Sequence, residues 1–213
     1  MCKICNNQAT RSQKLFAWIY SKSDNSLHKL YSEHKKRLFK DLQGNVLEIG
    51  PGTGINFDYF PANIEYFGLE PNEAMQKYLI EKAREKGVNA NISTGVAENL
   101  PYEDNSMDVV ISTLVLCSVT SQLVVAQEIR RVLKPGGRFI FIEHVGAPKG
   151  STTRKLQEYL KPLSKFIADG CDHARDTAEV IENSGFSKID IENFETPGPL
   201  GYKIPHINGV AFN

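Results

Sequence analysis

The feature that most constrains the fold is a glycine-rich loop that directly follows a short apolar run. The run is Val46-Leu47-Glu48-Ile49, and the loop is Gly50-Pro51-Gly52-Thr53-Gly54. Glycines at this spacing permit a tight turn and let the backbone approach a ligand closely. A loop of this kind, placed between a predicted strand and a predicted helix, is typical of a ligand-binding α/β fold.

Strand and helix signals alternate on both sides of this loop. Five apolar runs predict strands at 46–49, 64–69, 88–92, 107–111 and 138–144. Segments with apolar residues at helical spacing lie between several of these strands. Asn72 and Gly87 are suited to cap the helix between the second and third strands. Strands connected by helices favour right-handed crossovers and a doubly wound sheet.

The end of the chain carries a different pattern. Two strand signals, at 187–193 and 204–212, have no helical segment between them and are predicted to pair as an antiparallel hairpin. Helices are predicted at 152–169, with Pro162 as a kink or break, and at 174–184. The predicted fold class is therefore α/β, with a doubly wound, mostly parallel, seven-stranded sheet covered by helices on both faces.

The first 43 residues are predicted to form extra N-terminal helices. Helical spacing covers residues 10–42, and the polar run Ser23-Asp24-Asn25-Ser26 suggests a break into two helices. We expect a helical cap at 1–43 and a ligand-binding domain at 44–213, which together form one globular unit.

The residues around the loop indicate what kind of ligand it binds. A phosphate-binding loop would carry lysine where Ile55 stands, and the loop lacks the Gly-x-Gly-x-x-Gly spacing of dinucleotide sites. Glu48 would repel a pyrophosphate but suits an ammonium group. Glu70, at the end of the second strand, can accept the two hydroxyls of a ribose, although it also suits the helix start at Pro71-Asn72. The pattern favours an adenosine ligand that has an ammonium group and no phosphate.

Three segments together resemble class I S-adenosylmethionine-dependent methyltransferases, which have a Rossmann-like fold. They are Val46–Gly54, Gly95-Val96-Ala97-Glu98-Asn99-Leu100-Pro101 and Leu133-Lys134-Pro135-Gly136-Gly137. The resemblance covers about residues 40–145 and implies S-adenosylmethionine as the methyl donor, with S-adenosylhomocysteine as product. It implies that the donor contacts the loop, the ends of the second and fourth strands and the adenine-side segment, namely Glu48, Gly50–Gly54, Glu70, Pro71, Asn72, Ala97, Glu98, Thr113 and Leu114.

One position departs from the family pattern. Many relatives have aspartate where Val96 stands, and that aspartate contacts the adenine amino group. Valine cannot accept a hydrogen bond from it. We therefore assign this contact to Glu98 or to backbone atoms near Ala97.

A narrower resemblance extends to the C-terminus. Ser112–Val119, Glu143-His144-Val145, Asp169-Gly170-Cys171 and Pro205–Gly209 are similar to segments of the thiol S-methyltransferases of animal endoplasmic reticulum. Those relatives have an N-terminal membrane anchor. We expect none here, because residues 1–14 are polar and no stretch contains the roughly 18 apolar residues that a membrane span needs.

Catalytic candidates lie where ligands approach such sheets, at the carboxyl ends of the strands. Cys117 and His144 follow the fourth and fifth strands, although a small buried thiol and a packed histidine are alternatives. Asp169, Asp172 and His173 form a second group, for which helix capping is the alternative. Tyr20 and Tyr31 either close the site or pack in the core.

Composition limits the class of partner and the compartment. The net charge is zero, which does not favour nucleic acid, although residues 1–43 hold nine Lys and Arg against three Asp and Glu. This basic segment leaves peripheral contact with an anionic surface open. Four cysteines and no secretory signal favour free thiols in the cytoplasm. Cys2 and Cys5 have no second Cys/His pair at zinc-finger spacing, so we expect no metal site. Oligomeric state is not determined by these features.

These observations predict a methyltransferase that acts on a small-molecule acceptor, with a thiol as one candidate. Methyl transfer from a sulfonium is an in-line displacement, so the protein mainly has to align the reacting atoms. Two alternatives stay open at this point. The acceptor is a lipid or quinone precursor, or the chain binds S-adenosylmethionine without turnover.

Overall fold

The computed structural model describes residues 9–167, 170–198 and 202–213. Within these ranges the chain forms five α-helices and seven strands, and a short 3₁₀ helix at Ile55–Tyr59 follows the glycine loop. The helices are α1 (Arg11–Phe39), α2 (Glu73–Lys86), α3 (Gln122–Val132), α4 (Thr152–Ile167) and α5 (Thr177–Glu182). The strands are β1 (Gly44–Ile49), β2 (Ile64–Leu69), β3 (Ala90–Ser93), β4 (Met107–Thr113), β5 (Leu133–His144), β6 (Lys188–Pro197) and β7 (Lys203–Phe212).

All seven strands form one sheet in the order β3-β2-β1-β4-β5-β7-β6. The first five strands pair in parallel, as β1 does with β2 and β4. Strand β7 pairs antiparallel with both β5 and β6. The predicted seven-stranded, mostly parallel sheet and its C-terminal hairpin are therefore confirmed.

Both faces of the sheet are covered by apolar side chains. On β1, Leu47 and Ile49 pack in a cluster with residues of α3 and α5, such as Ile129 and Ile181. Val46 points to the opposite face, where it packs with Phe39 at the end of α1. Because successive side chains on a strand point to opposite faces, this two-sided burial explains why the strand is apolar on both sides.

The sheet order places the candidate site. Strands β1 and β4 are neighbours in the sheet. From β1 the chain continues to β2 on one side, and from β4 it continues to β5 on the other side. Ligands of such sheets bind in the crevice at the carboxyl ends of the strands where the order reverses. The glycine loop after β1 and the segment after β4 therefore meet at this edge.

The N-terminal segment differs from its prediction. A single helix, α1, runs from Arg11 to Phe39 through residues 23–26, so the predicted break and the second helix are wrong. Ser, Asp and Asn lower helix propensity by well under ~1 kcal/mol each, and no glycine or proline interrupts the segment. Packing at the C-terminal end, where Phe39 is fully buried, outweighs that local preference. The division at residue 43 stays a prediction.

The later helices also refine the predictions. Pro162 lies inside α4, which continues to Ile167 without a break. Helix α5 covers Thr177–Glu182, which is shorter than the predicted 174–184 because residues 174–176 form the approach to the helix. Among the helices of the described ranges, none is both long enough and apolar enough to cross a membrane.

Candidate functional site

The glycine loop adopts a backbone that glycine alone adopts without strain. Gly50, Gly52 and Gly54 have φ values of 58°, 59° and 82°. The Gly50 amide donates a hydrogen bond to the carbonyl of Leu69 on β2, with a nitrogen–oxygen distance of 2.9 Å. A β-carbon added to Gly50 would lie 2.6 Å from a methyl carbon of Val115. The loop is therefore pressed between β2 and the segment after β4, which explains its glycines sterically.

A cavity opens between this loop and helix α1. Its walls come from α1, β1, the glycine loop and the 3₁₀ helix, and from the end of β4, and they comprise Tyr20, Tyr31, Lys35, Glu48, Gly50, Pro51, Ile55, Asn56, Thr113 and Leu114. Predicted residues from three separate segments are thus brought to one cavity. Lys35, Ile55 and Asn56 were not predicted as site residues, since neither a buried lysine nor a helix-start asparagine carries a sequence motif.

Glu48 is the acidic group of this cavity and is almost fully buried. Its carboxylate accepts hydrogen bonds from the Tyr66 hydroxyl at 2.8 Å and from the Asn56 amide at 2.5 Å. Burial raises the pKa of Glu48, while these two hydrogen bonds and the nearby Lys35 ammonium act in the opposite direction. A partly desolvated carboxylate of this kind gains from a cationic ligand group.

Asn56 supplies a second acceptor beside Glu48. Its amide nitrogen donates to Glu48 and, at 3.1 Å, to the Thr113 hydroxyl. Its carbonyl oxygen is buried and makes no hydrogen bond within the structure. Buried polar atoms are nearly always paired, so an orphaned acceptor in a cavity-lining residue is unusual and makes Asn56 a candidate contact for a ligand donor such as an ammonium group.

Glu70 lies at the end of β2 and is buried. Its two carboxylate oxygens accept one backbone hydrogen bond each, from Gly52 at 2.9 Å and from Asn72 at 2.8 Å. Asn72 in turn caps α2 through a hydrogen bond from Ala74. The carboxylate therefore ties the glycine loop to the start of α2.

The segment after β4 is held by Glu143, which sequence reasoning did not single out as a functional residue. This carboxylate is completely buried and accepts hydrogen bonds from the Ser112 hydroxyl and from the backbone amides of Val115 and Leu116. Burial raises the pKa of Glu143 to about 7. Leu114, which lines the cavity, has φ of 60°, an uncommon value for a residue with a β-carbon. The sequence signal for Glu143 is that it is an acidic residue directly after the apolar run Phe139–Ile142 of β5.

The predicted adenine-side residues lie next to the start of α3. Ala97 is buried, and the Glu98 carboxylate accepts hydrogen bonds from the backbone amides of Thr120 and Ser121 at 2.6 and 3.4 Å. This carboxylate therefore has partners within the protein, at a helix start that favours negative charge. The adenine contact stays a prediction for Glu98 and for the backbone near Ala97.

Cys117 and His144 meet Cys171 and His173 in what we call the Cys–His cluster. The sulfur atoms of Cys117 and Cys171 are 3.0 Å apart. The δ-nitrogen of His144 lies 3.9 Å from the Cys117 sulfur and 3.8 Å from the Cys171 sulfur. The ε-nitrogen of His173 lies 3.5 Å from the Cys171 sulfur. Residues from the ends of β4 and β5 and from the segment after α4 thus converge.

Ionisation within the cluster favours one thiolate. The hydrogen bond with Cys117, supported by the imidazoles of His144 and His173, lowers the pKa of Cys171 to about 3. The same hydrogen bond, together with burial, raises the pKa of Cys117. Two adjacent thiols do not readily ionise together, so their pKa values move apart. Both cysteines are free, as expected for them from the sequence.

The cluster adjoins the cavity through Tyr31. The Tyr31 hydroxyl lies on the cavity side and is 2.8 Å from the ε-nitrogen of His206. The His206 ring is in turn 4.6 Å from the His144 ring, measured between centroids. Burial lowers the pKa of His206 to about 3, so this ring is neutral. Tyr31 therefore connects the cavity to the cluster. Tyr20 also lines the cavity.

Asp172 is the acidic candidate that falls within the described residues, and it pairs with helix α4 and does not line the cavity. Asp172 is buried and paired with Lys161 and Lys165 of α4, at 2.7 and 3.5 Å, and it accepts a hydrogen bond from the Ala174 amide. Its contacts are those of a residue that fastens α4 to the following segment, instead of those of a catalytic acid. Asp169, Cys2 and Cys5 lie outside the described residues.

Comparison with known proteins agrees with this geometry. A family profile described as "Methyltransferase domain" matches residues 47–141. Thiol S-methyltransferase TMT1B of Rattus norvegicus is 38% identical to this chain, over 92% of this chain and 82% of that protein. The TMT1B protein of Homo sapiens is 40% identical, over 84% and 78% respectively. The chain belongs to this methyltransferase family.

Membership in the family makes the protein an S-adenosylmethionine-dependent methyltransferase, as the motifs predicted. The fold agrees as well. A Thermotoga maritima methyltransferase, described as a possible histamine N-methyltransferase, superposes with a TM-score of 0.67 over 94% of this chain and 98% of that chain. Its sequence is 21% identical, so this likeness bears on the methyltransferase fold alone.

Proposed function

We propose that this methyltransferase transfers the methyl group of S-adenosylmethionine to the sulfur of a small thiol, in the cytoplasm. The observation that carries the proposal is the 38% identity to a thiol S-methyltransferase across nearly the whole chain. The cavity supports the choice of methyl donor, because Glu48 and Asn56, with its orphaned acceptor, line it, while the Glu70 carboxylate holds the adjoining glycine loop at Gly52. An amino acid ammonium and a ribose require these two kinds of partner.

The chain's own residues then have separate tasks. Glu48 and Asn56 would hold the ammonium group, and Lys35 would face the carboxylate of the same amino acid. Glu70 would hold the ribose hydroxyls. When bound, S-adenosylmethionine supplies a methyl group on a sulfonium, which leaves readily when a nucleophile attacks in line. The segment fixed by Glu143 would orient this end of the cavity toward the Cys–His cluster, and such positioning is what the reaction most needs.

A thiol acceptor needs little help from an acid or base in the site. Thiols have an ordinary pKa of about 8.5, so a useful fraction is thiolate near neutral pH without a strong base. A neutral hydroxyl or amine acceptor would need a dedicated base. Asp172, one candidate for that role, is salt-bridged to Lys161.

A lipid or quinone-precursor acceptor is the second candidate, favoured by one surface feature. Helix α4 exposes Leu156, Tyr159, Leu160 and Leu163, which recur at helical spacing on one stripe, and Tyr159 is 82% exposed. A stripe of this kind suits peripheral contact with a membrane or with an apolar acceptor. The relatives' named activity supports the thiol more directly.

The acceptor class is tested by a methyl-release assay on purified protein. Alkane thiols, phenols, quinols and phospholipid vesicles are supplied with S-adenosylmethionine, and S-adenosylhomocysteine formation is measured. We expect turnover with thiols to exceed turnover with every other class by at least ten-fold. Faster turnover of quinols or phospholipids would contradict the thiol assignment. Binding of S-adenosylhomocysteine without turnover of any acceptor would instead support the non-catalytic alternative.

Glu48→Gln tests the ammonium contact and its pH dependence. Loss of one charged hydrogen-bond partner costs about 1.5 kcal/mol, so we expect S-adenosylhomocysteine to bind roughly ten-fold more weakly by calorimetry. Because burial raises the pKa of Glu48, this carboxylate becomes protonated at a higher pH than an ordinary glutamate and then no longer attracts an ammonium. Wild-type affinity should therefore fall as the pH is lowered from neutrality toward the ordinary glutamate pKa, more steeply than that of the variant.

A matched ligand controls this experiment. 5′-Methylthioadenosine has the adenosine but lacks the ammonium, so its affinity should be the same for wild type and Glu48→Gln and should not depend on pH in this range. An equal loss for both ligands would show that the substitution damages the cavity in general. Equal pH dependence in wild type and variant would assign the titration to another group.

A further inference from the structure

The Cys–His cluster contains a ligand set that local sequence spacing does not show. The sulfur atoms of Cys117 and Cys171 and a ring nitrogen of His144 all lie within 4.8 Å of one another. The three residues are separated by 27 positions at each step, so they form no short motif. Only the meeting of β4, β5 and the segment after α4 brings them together. The expectation of no metal site rested on Cys2 and Cys5, which have no second Cys/His pair at zinc-finger spacing.

The distances fit a single tetrahedral ion. Zinc–sulfur bonds of about 2.3 Å and zinc–nitrogen bonds of about 2.0 Å place tetrahedral ligand atoms roughly 3.6–3.8 Å apart. The two sulfur–nitrogen distances, 3.9 and 3.8 Å, are already close to this range. The sulfur–sulfur distance of 3.0 Å would open by less than about 1 Å.

Burial and charge point to the same kind of ion. Cys117 and Cys171 are 1% and 5% exposed, so two thiolates there would be costly without a cation. A divalent ion neutralises both of them. Sulfur and imidazole ligands select thiophilic ions of the zinc class over magnesium or calcium, which prefer oxygen. His173, with its ring nitrogen 3.5 Å from the Cys171 sulfur, is placed to donate a hydrogen bond to a metal-bound thiolate.

We propose that Cys117, Cys171 and His144 bind one zinc-class ion, and that the thiolate of the methyl acceptor takes its fourth coordination position. Two cysteines and one histidine form a set found in catalytic zinc sites, which keep one position open for water or substrate. The location suits this role, because the Cys117 sulfur is 3.6 Å from the carbonyl of Leu114, a residue that lines the cavity. The second half of the proposal rests on the proposed thiol acceptor.

The reaction balances without an oxidant or reductant. The acceptor S–H bond breaks, its proton goes to solvent, and the sulfur keeps the electron pair. That pair forms the new carbon–sulfur bond as the methyl–sulfonium bond breaks, and the released pair stays on the sulfur of the departing S-adenosylhomocysteine. Coordination lowers the pKa of a bound thiol and so raises the thiolate fraction at neutral pH. The ion itself is unchanged.

The test begins with metal content. The full chain is prepared under reducing conditions in a Cys2→Ser/Cys5→Ser background, which removes the other cysteine pair as a source of bound metal. After exposure to Zn²⁺ and gel filtration, we expect about one zinc per chain by inductively coupled plasma mass spectrometry. Cys117→Ser, Cys171→Ser and His144→Gln should each retain less than about a tenth of that.

A spectroscopic readout distinguishes a true site from loss of folding. Co²⁺ in the same background should give a thiolate-to-cobalt charge-transfer band, and addition of an alkane thiol should shift it. S-adenosylhomocysteine binding by calorimetry should persist in Cys117→Ser, which shows that this variant is folded. His173→Gln should keep the ion, and loss of zinc from this variant would overturn the three-ligand site. The proposal would be overturned if the background protein held no more zinc than Cys117→Ser does. It would also be overturned if Cys117 and Cys171 were recovered as a disulfide.

The metal site and the proposed function fail in different ways. Thiol turnover by a zinc-free preparation would overturn the metal proposal and leave the thiol methyltransferase assignment intact. A third outcome is one zinc per chain, a cobalt spectrum that the thiol does not shift, and turnover of quinols only. This outcome would overturn both the coordination of the acceptor by the ion and the assignment of a thiol acceptor. Zinc-dependent turnover of thiols, with a shifted spectrum, would support both.

Discussion

Replacing Glu70 with alanine should weaken S-adenosylhomocysteine binding by at least ten-fold. The carboxylate is assigned to the two ribose hydroxyls, and it also holds the amides of Gly52 and Asn72. Each charge-assisted hydrogen bond is worth about 1.5–3 kcal/mol, so losing even one with the ribose costs roughly ten-fold or more, before any loosening of the loop. Isothermal titration calorimetry measures the effect directly.

Controls separate the ribose contact from general damage. Glu65→Ala removes an exposed carboxylate from the same strand, where it accepts a hydrogen bond from Asn91, and should leave the affinity unchanged. 5′-Methylthioadenosine, which retains the ribose, should lose affinity in Glu70→Ala by about the same factor as S-adenosylhomocysteine. Unaltered binding of either ligand would refute the ribose assignment. In Glu48→Gln, by contrast, the affinity for 5′-methylthioadenosine should not change.

Replacing Gly50 with alanine should lower the free energy of unfolding and weaken S-adenosylhomocysteine binding by roughly ten-fold or more. Two effects contribute. The φ of 58° costs any residue with a β-carbon about 1–2 kcal/mol of stability. The new β-carbon would also lie 2.6 Å from a Val115 methyl, so the segment that follows the cavity-lining Leu114 has to move. Calorimetry and thermal unfolding, measured together, give the binding and stability components.

Gly87 provides a matched control for this substitution. Its φ is 66°, and a β-carbon there would meet no atom within 4 Å. Gly87→Ala should therefore lower the free energy of unfolding by about 1 kcal/mol but leave ligand affinity unchanged. Val115→Ala combined with Gly50→Ala should restore part of the affinity, because it relieves the contact but not the backbone strain. Equal binding losses at Gly50 and Gly87 would show that the local contact has no role.

Local sequence predicted the parts of the site whose chemistry depends on a few adjacent residues. The glycine loop requires positive φ at Gly50, Gly52 and Gly54, and few residues other than glycine adopt it readily, so the motif was visible. Glu70 was predictable because it directly follows a strand, at the edge where the loops of a parallel sheet meet. The break at residues 23–26 was predicted wrongly, since capping preferences are small beside the tertiary packing of α1.

Other features had no local signal. Lys35 and Asn56 reach the cavity because α1 and the 3₁₀ helix pack over the carboxyl edge of the sheet. The role of Glu143 depends on amides of a segment 27 or 28 residues earlier in the chain, which no pattern of neighbouring residues reveals. Distances of this kind arise only once the strands are in register.

The sequence by itself determined the fold class and the nature of the methyl donor, because strand–helix alternation, the glycine loop and Glu70 act through local geometry and local chemistry. The tertiary structure alone decided what stands at the acceptor end. It placed Cys117, His144 and Cys171 within reach of one ion, and it paired Asp172 with the lysines of α4. Those contacts join residues far apart in the chain, and their distances depend on how β4, β5 and α4 pack, which is a property of the whole fold.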